Sequence, residues 1–89
     1  MTEIKVPKIA GAGVKLSVGR WFKRVGDPVT VQEPLVEIDT DNLTYEILTP
    51  VTGMLAAILV KDGGSVEPGR LLGMVDPARP SDRGTLELF

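Results

Sequence analysis

The chain predicts an all-β fold, a flattened β-barrel or sandwich of two four-stranded antiparallel sheets related by a quasi-two-fold axis. Three features of the sequence lead there. Short β-prone runs recur between glycine, proline and aspartate at residues 4–6, 14–22, 29–31, 35–39, 43–48, 54–60 and 71–75, and no amphipathic helical pattern competes with them. Ten glycines and seven prolines among 89 residues supply tight turns at the density such a fold needs. The chain also repeats itself: a shift of 37 places sets Gly26 on Gly63, Val29 on Val66, Leu35 on Leu72, Ile38 on Val75 and Asp39 on Asp76.

Each run has its own logic. The first ends at Val6-Pro7 and is followed by Lys8, Ile9, Ala10, Gly11, Ala12 and Gly13, a segment with no counterpart after Pro50. It is predicted to be a surface loop and a partner contact. Gly11-Ala12-Gly13 lacks the third glycine and the following helix that a phosphate loop requires. In the second run Val14, Leu16, Val18 and Phe22 alternate with Lys15, Ser17 and Gly19, and Arg20 is the exception on the inward register. The shift of 37 places Trp21-Phe22 on Ile58-Leu59, so these pairs are expected to fill matching core positions. One of the two rings is expected in the core and the other partly exposed, in preference to a base-stacking platform.

Leu43, Tyr45 and Ile47 alternate with Thr44 and Glu46, and together with residues 35–39 they frame a β-hairpin. Asp39, Thr40, Asp41 and Asn42 supply side chains able to hydrogen-bond their own backbone, so the tip is expected to be exposed and rigid. Asp39 and Asp41 do not make a calcium loop, because neither an oxygen ligand at Leu43 nor a glycine at Thr44 follows them.

Composition narrows the function. At this length one small domain is expected, read as residues 1–77, with the proline-, alanine- and charge-rich residues 78–89 as linker or tail. Twelve acidic and ten scattered basic residues, without aromatic interleaving, argue against a nucleic-acid surface. Without cysteine or histidine the usual thiol chemistry and zinc sites are excluded. No stretch reaches the roughly 18 apolar residues of a membrane span, and the N-terminus lacks the pattern of a leader, so a soluble protein in a reducing compartment is expected.

These residues resemble the lipoyl domain (biotinyl/lipoyl attachment domain) of the dihydrolipoyl acyltransferase, or E2, component of 2-oxo acid dehydrogenase complexes. The likeness covers roughly residues 2–76. It is carried by Val6-Pro7, by Trp21-Phe22-Lys23-Arg24-Val25-Gly26-Asp27-Pro28-Val29, by Pro34-Leu35-Val36-Glu37-Ile38-Asp39-Thr40-Asp41, by Pro50-Val51-Thr52-Gly53 and by Val60-Lys61-Asp62-Gly63-Gly64-Ser65-Val66-Glu67-Pro68-Gly69-Arg70-Leu71-Leu72-Gly73. The family places a glycine sixteen residues before its modified lysine, an acidic residue three before, an aspartate directly before and a glycine eleven after. Gly26, Asp39, Asp41 and Gly53 hold those places relative to Asn42. Lys61-Asp62-Gly63 and Leu71-Leu72-Gly73 lean toward the 2-oxoglutarate type.

The resemblance implies a barrel-sandwich hybrid and a swinging-arm carrier. In the family, lipoate joined to the tip lysine accepts an acyl group from the 2-oxo acid decarboxylase (E1). It passes that group to the E2 catalytic core and is reoxidised by dihydrolipoyl dehydrogenase (E3). A lipoate ligase installs it, and the resemblance assigns the tip and its recognition to the positions of Asp39, Thr40, Asp41, Leu43, Gly26 and Gly53. Here Asn42 stands at the lysine position, and its carboxamide nitrogen, delocalised into the carbonyl, is not a nucleophile. The chain as written is therefore expected to carry no lipoate, to fold without the arm, and to be a non-enzymatic, monomeric carrier domain whose parent's catalytic domain lies outside it. Lys8 and Lys61, the other amines considered for acylation, lie outside the acidic hairpin. By resemblance the setting is the bacterial cytoplasm or, after processing, the mitochondrial matrix, the cytoplasm being preferred. The alternative is a lipoyl-like module with a purely structural or protein-interaction role. A biotin carrier fits less well, because methionines usually flank its attachment site and here Asp41 and Leu43 do. The membrane-fusion adaptor, whose halves are split by a long helical hairpin, does not fit the tight turn that joins them here.

Overall fold

Eight strands and no helix make up the described residues, 1–8 and 15–77, in a computed structural model of the chain. The strands are β1 (Thr2–Lys5), β2 (Leu16–Trp21), β3 (Pro28–Val29), β4 (Pro34–Asp39), β5 (Thr44–Leu48), β6 (Gly53–Ile58), β7 (Ser65–Val66) and β8 (Leu71–Asp76). They form two four-stranded sheets, ordered β1-β8-β6-β3 and β5-β4-β2-β7, with every pairing antiparallel. Ile4, Leu16, Val18, Val29, Leu35, Ile38, Leu55, Leu72 and Val75 belong to one apolar core drawn from both sheets. The all-β sandwich expected from the sequence is the fold observed.

The repeat extends to individual residues. A shift of 37 carries β2, β3 and β4 onto β6, β7 and β8 along their whole lengths, and β4 and β8 share one burial pattern. The irregularities repeat too. A register shift lies between Val18 and Arg20 in β2 and between Leu55 and Ala57 in β6, which places equivalent bulges at Gly19 and Ala56. The outer strands follow a different offset: Ile4 pairs with Gly73 and Ile47 with Val36, so the offset there is 43. The six additional residues fall between β1 and β2, as the sequence led one to expect. Of that predicted loop, residues 9–13 lie outside the described part of the chain, as do Val14, the expected start of the second run, and residues 78–89.

The bulge at Gly19 corrects one expectation. It reverses the inside–outside alternation of β2, so Arg20 faces solvent and Trp21, not Phe22, packs against the core. Trp21 also donates its indole N–H to the Val60 carbonyl at 2.8 Å. Phe22 sits under the Arg20 guanidinium, 4.9 Å from the ring centroid. The match of Trp21 to Ile58 holds, since both pack on the core, but Leu59 is 47% exposed and fills no core position. The strand ends also differ: the run at 54–60 yields a strand that begins at Gly53 and stops at Ile58. The two-residue β7 was not foreseen, because two residues are too few to show a period.

The repeat exposes a conformational mismatch. Gly69 lies at φ 89° in the bend before β8, and its equivalent before β4 is Gln32 at φ 75°. A side chain in this left-handed region costs about 1 kcal/mol or more, which glycine avoids. Gln32→Gly is therefore expected to raise the melting temperature by about 2–5 °C, after its greater unfolded-state entropy is set against the relieved strain. Calorimetry of the two proteins measures it, and a fall in melting temperature would show the site unstrained.

The same bend is closed by Glu33. Its carboxylate accepts the Thr30 N–H at 2.9 Å and meets Lys23 Nζ at 2.9 Å. The Thr30 hydrogen bond, then the Lys23 ammonium, hold the Glu33 carboxyl below its ordinary value against a smaller opposing effect of burial. A lowered folded-state value means that the contribution is present above the ordinary glutamate range and is lost as pH falls through the lowered value. Melting temperatures of the parent and of Glu33→Gln are expected to differ at neutral pH and to converge in acid. A constant gap would show that ionisation of Glu33 plays no part.

Candidate functional site

β4 and β5 pair in the register Asp39↔Thr44, Ile38↔Tyr45 and Glu37↔Glu46. Residues 40–43 then close the hairpin. Their geometry is set by one hydroxyl. Thr40 Oγ1 accepts the N–H groups of Asn42 at 3.2 Å and Leu43 at 2.9 Å, and donates to the Leu43 carbonyl at 3.0 Å. The Thr40 N–H reaches the same carbonyl at 2.8 Å. Four hydrogen bonds thus converge on Thr40 and Leu43, a side-chain turn of the kind that serine and threonine make.

This refines the expectation that four polar side chains would share the task. Thr40 ties the turn. Asp39 instead accepts the Thr44 hydroxyl at 3.1 Å across the strand pair. Among the described residues neither Asp41 nor Asn42 makes a side-chain hydrogen bond or ion pair. Asn42 is exposed, as are Asp41 and Leu43, and its φ lies outside the left-handed region. Any L-residue with a backbone N–H therefore suits the φ at 42, and the turn does not depend on the left-handed tolerance of asparagine.

Thr40→Val keeps the shape and removes the hydroxyl. Three of the four bonds go with it, at an expected cost of about 1–2 kcal/mol, modest because water takes over at an exposed tip. Amide hydrogen exchange of Asn42 and Leu43 is expected to quicken while the β4–β5 ladder stays protected. Unchanged exchange at Leu43 would show that the turn holds without Thr40.

Gly26 and Gly53 are not brought to the tip. Both lie with the other sheet: Gly26 turns the chain into β3 at φ 97° and donates its N–H to the Leu55 carbonyl at 2.7 Å, while Gly53 opens β6 opposite Val29. A Cβ on Gly53 would collide with the Asp76 carbonyl oxygen and come within 2.8 Å of the Pro77 Cα. These glycines answer a turn and a close backbone approach, and they frame the tip in sequence only. Lys8 lies just past β1, and Lys61 lines a shallow groove with Trp21, Arg24, Val25 and Ile58. Neither belongs to the hairpin. Among the described residues no three Asp or Glu side chains gather as a metal site, and no helix is long and apolar enough to cross a membrane. What the site offers chemically is a display: an exposed residue 42 on a tied turn, with a paired carboxylate at its root and an unpaired one beside it.

Comparison with known proteins fits this geometry. The biotin/lipoyl family, described as biotin-requiring enzyme, matches residues 2–75. The dihydrolipoyllysine-residue succinyltransferase component of the 2-oxoglutarate dehydrogenase complex of Bartonella vinsonii subsp. berkhoffii is 44% identical over 80 residues, which are 90% of this chain and 20% of that protein. The dihydrolipoyllysine-residue acetyltransferase component of the pyruvate dehydrogenase complex of Corynebacterium glutamicum is 32% identical over 77 residues, 86% of this chain and 11% of that protein. The chain thus spans a fifth or less of these relatives. Among solved structures, the lipoyl domain of the 2-oxoglutarate dehydrogenase complex from Azotobacter vinelandii superposes with a TM-score of 0.72 at 32% identity, covering 85% of this chain and 96% of that domain. On sequence, fold and the exposed β4–β5 tip together, the chain belongs to the biotin/lipoyl domain family.

Proposed function

We propose that the chain is the carrier domain of an E2 acyltransferase of a 2-oxo acid dehydrogenase complex, in a form that lacks the lipoylation lysine and so stays unmodified. One observation bears most of the weight: the turn is tied by Thr40 and presents residue 42 to solvent, yet the fold makes no use of the Asn42 side chain. A turn that holds up an unused side chain suits a residue whose purpose lies outside the domain. Lipoate does not fit the residue present, because an amide to the lipoate carboxyl needs a primary amine and Asn42 offers a carboxamide. No acyl transfer is therefore assigned to this chain.

On this reading residues 1–77 are the carrier domain and residues 78–89 begin the linker to the rest of the acyltransferase. Lipoate ligase, E1, the E2 core and E3 are the partners of the lysine-bearing form, reached by a monomeric domain in the cytoplasm. Asp39, Thr40, Asp41 and Leu43 form the surface those partners meet. The test restores the amine: Asn42→Lys is co-expressed with a lipoate ligase, and the intact mass shows whether residue 42 becomes modified. If the restored protein folds but stays unmodified, the carrier reading fails and a structural or interaction module takes its place.

A further inference from the structure

We infer that Gly19 is a positioning residue whose missing side chain lets the Asp39 carboxylate lie over the β2 bulge in a single orientation at the root of the tip. A Cβ built on Gly19 would stand 2.7 Å from Asp39 Oδ2, 2.9 Å from Oδ1 and 3.0 Å from Cγ. No ordinary contact is that close, so any side chain at 19 displaces the carboxylate. The backbone itself does not ask for glycine there, since Gly19 is not in the left-handed region.

The molecule contains its own control. The equivalent bulge in β6 is filled by Ala56, so this bulge accommodates a Cβ. In the first copy the space that a Cβ would take is filled by the Asp39 carboxylate. Asp39 pairs with Ser17 on one side and with Thr44 on the other, and its Oδ1 accepts the Thr44 hydroxyl at 3.1 Å. The carboxylate is thus held between the bare backbone of β2 and the hydroxyl of β5. Among the described residues Oδ2 accepts no hydrogen bond, which leaves it free for a guanidinium or ammonium group of an enzyme acting at residue 42. The inference rests on the carrier reading for its purpose, but the orientation of Asp39 does not.

Two measurements test it. Three-bond Hα–Hβ couplings of Asp39 in the chain as it stands are expected to show one χ1 rotamer, and Gly19→Ala is expected to shift or average them. Amide spectra should change only around residues 19, 39 and 44, because what must move is the end of a flexible side chain. Averaged couplings in the parent, or couplings unmoved by Gly19→Ala, overturn the inference.

In the Asn42→Lys background, Gly19→Ala is expected to lower kcat/KM for lipoylation by roughly tenfold, chiefly through KM, as a misplaced binding group does. It should lower it no further once Asp39→Ala is present. A loss that persists without the Asp39 carboxylate marks Gly19 as merely structural and overturns the inference. Absence of lipoylation in Asn42→Lys itself sinks the carrier reading instead, while the couplings still decide what Gly19 does.

Discussion

On the proposed carrier reading, Asn42→Lys is expected to turn the chain into a lipoyl acceptor, a change from no modification to complete modification under excess ligase. The chemistry is all-or-none. A lysine amine attacks an activated carboxyl and forms an amide, whereas the carboxamide nitrogen of asparagine has its lone pair in the carbonyl and sits several bonds nearer the backbone. The fold should not notice the exchange. Residue 42 is exposed, its φ is ordinary, and its side chain makes no hydrogen bond among the described residues. A surface substitution of this kind changes stability by less than about 0.5 kcal/mol. Intact mass followed by peptide mapping should place a single lipoyl group at residue 42. Lys8 and Lys61, outside the hairpin, serve as internal controls. Modification of the unaltered chain at one of those lysines would contradict the role given to the tip.

Leu55→Ala is expected to have the largest effect on stability. Leu55 is fully buried on β6, opposite Val75. Its backbone also anchors the turn into β3, taking the Gly26 N–H at 2.7 Å and donating to the Asp27 carbonyl at 2.9 Å. Truncation of a buried leucine to alanine costs about 2–5 kcal/mol, the spread reflecting how far the cavity collapses. Domains are stable by only about 5–15 kcal/mol in all, and one this small lies toward the lower end. A loss of roughly 10 °C or more in melting temperature follows, read by circular dichroism. Leu59→Ala, four residues on at a site 47% exposed, should cost far less. Equal losses at the two sites would mean that the core is not where the fold places it.

Both predictions draw on parts of the protein that were open to sequence reading to different degrees. The repeat was plain, because each half spends the same residue types on the same tasks: a glycine at Gly26 and Gly63 for a left-handed turn, a valine at Val29 and Val66 for a two-residue strand, and a buried leucine at Leu35 and Leu72. The hairpin tip was plain too, since turn-forming residues there interrupt two strands of alternating character. Less could be read where a bulge intervenes. Strict alternation assigns Phe22 to the core, and one extra residue at Gly19 hands that place to Trp21. Sequence alone offered four polar candidates for tying the tip, and only the geometry singles out Thr40.

By itself, then, the sequence determined the all-β class, the duplication, the site of the hairpin and the absence of an amine at its apex. Each is a local matter of which residue types stand at which spacing. The tertiary structure decided that Gly26 and Gly53 serve the opposite sheet and not the tip, that Trp21 is the ring that packs, and that Gly19 lies against Asp39. These are contacts between strands twenty or more residues apart, fixed by register and bulges, and one residue of slip would reverse every side chain involved. The resemblance, through the spacing of Gly26, Asp39, Asp41 and Gly53, pointed to residue 42 as the family's attachment position, and only the packing of β2 against β4 brings Gly19 to the Asp39 carboxylate at the root of the tip.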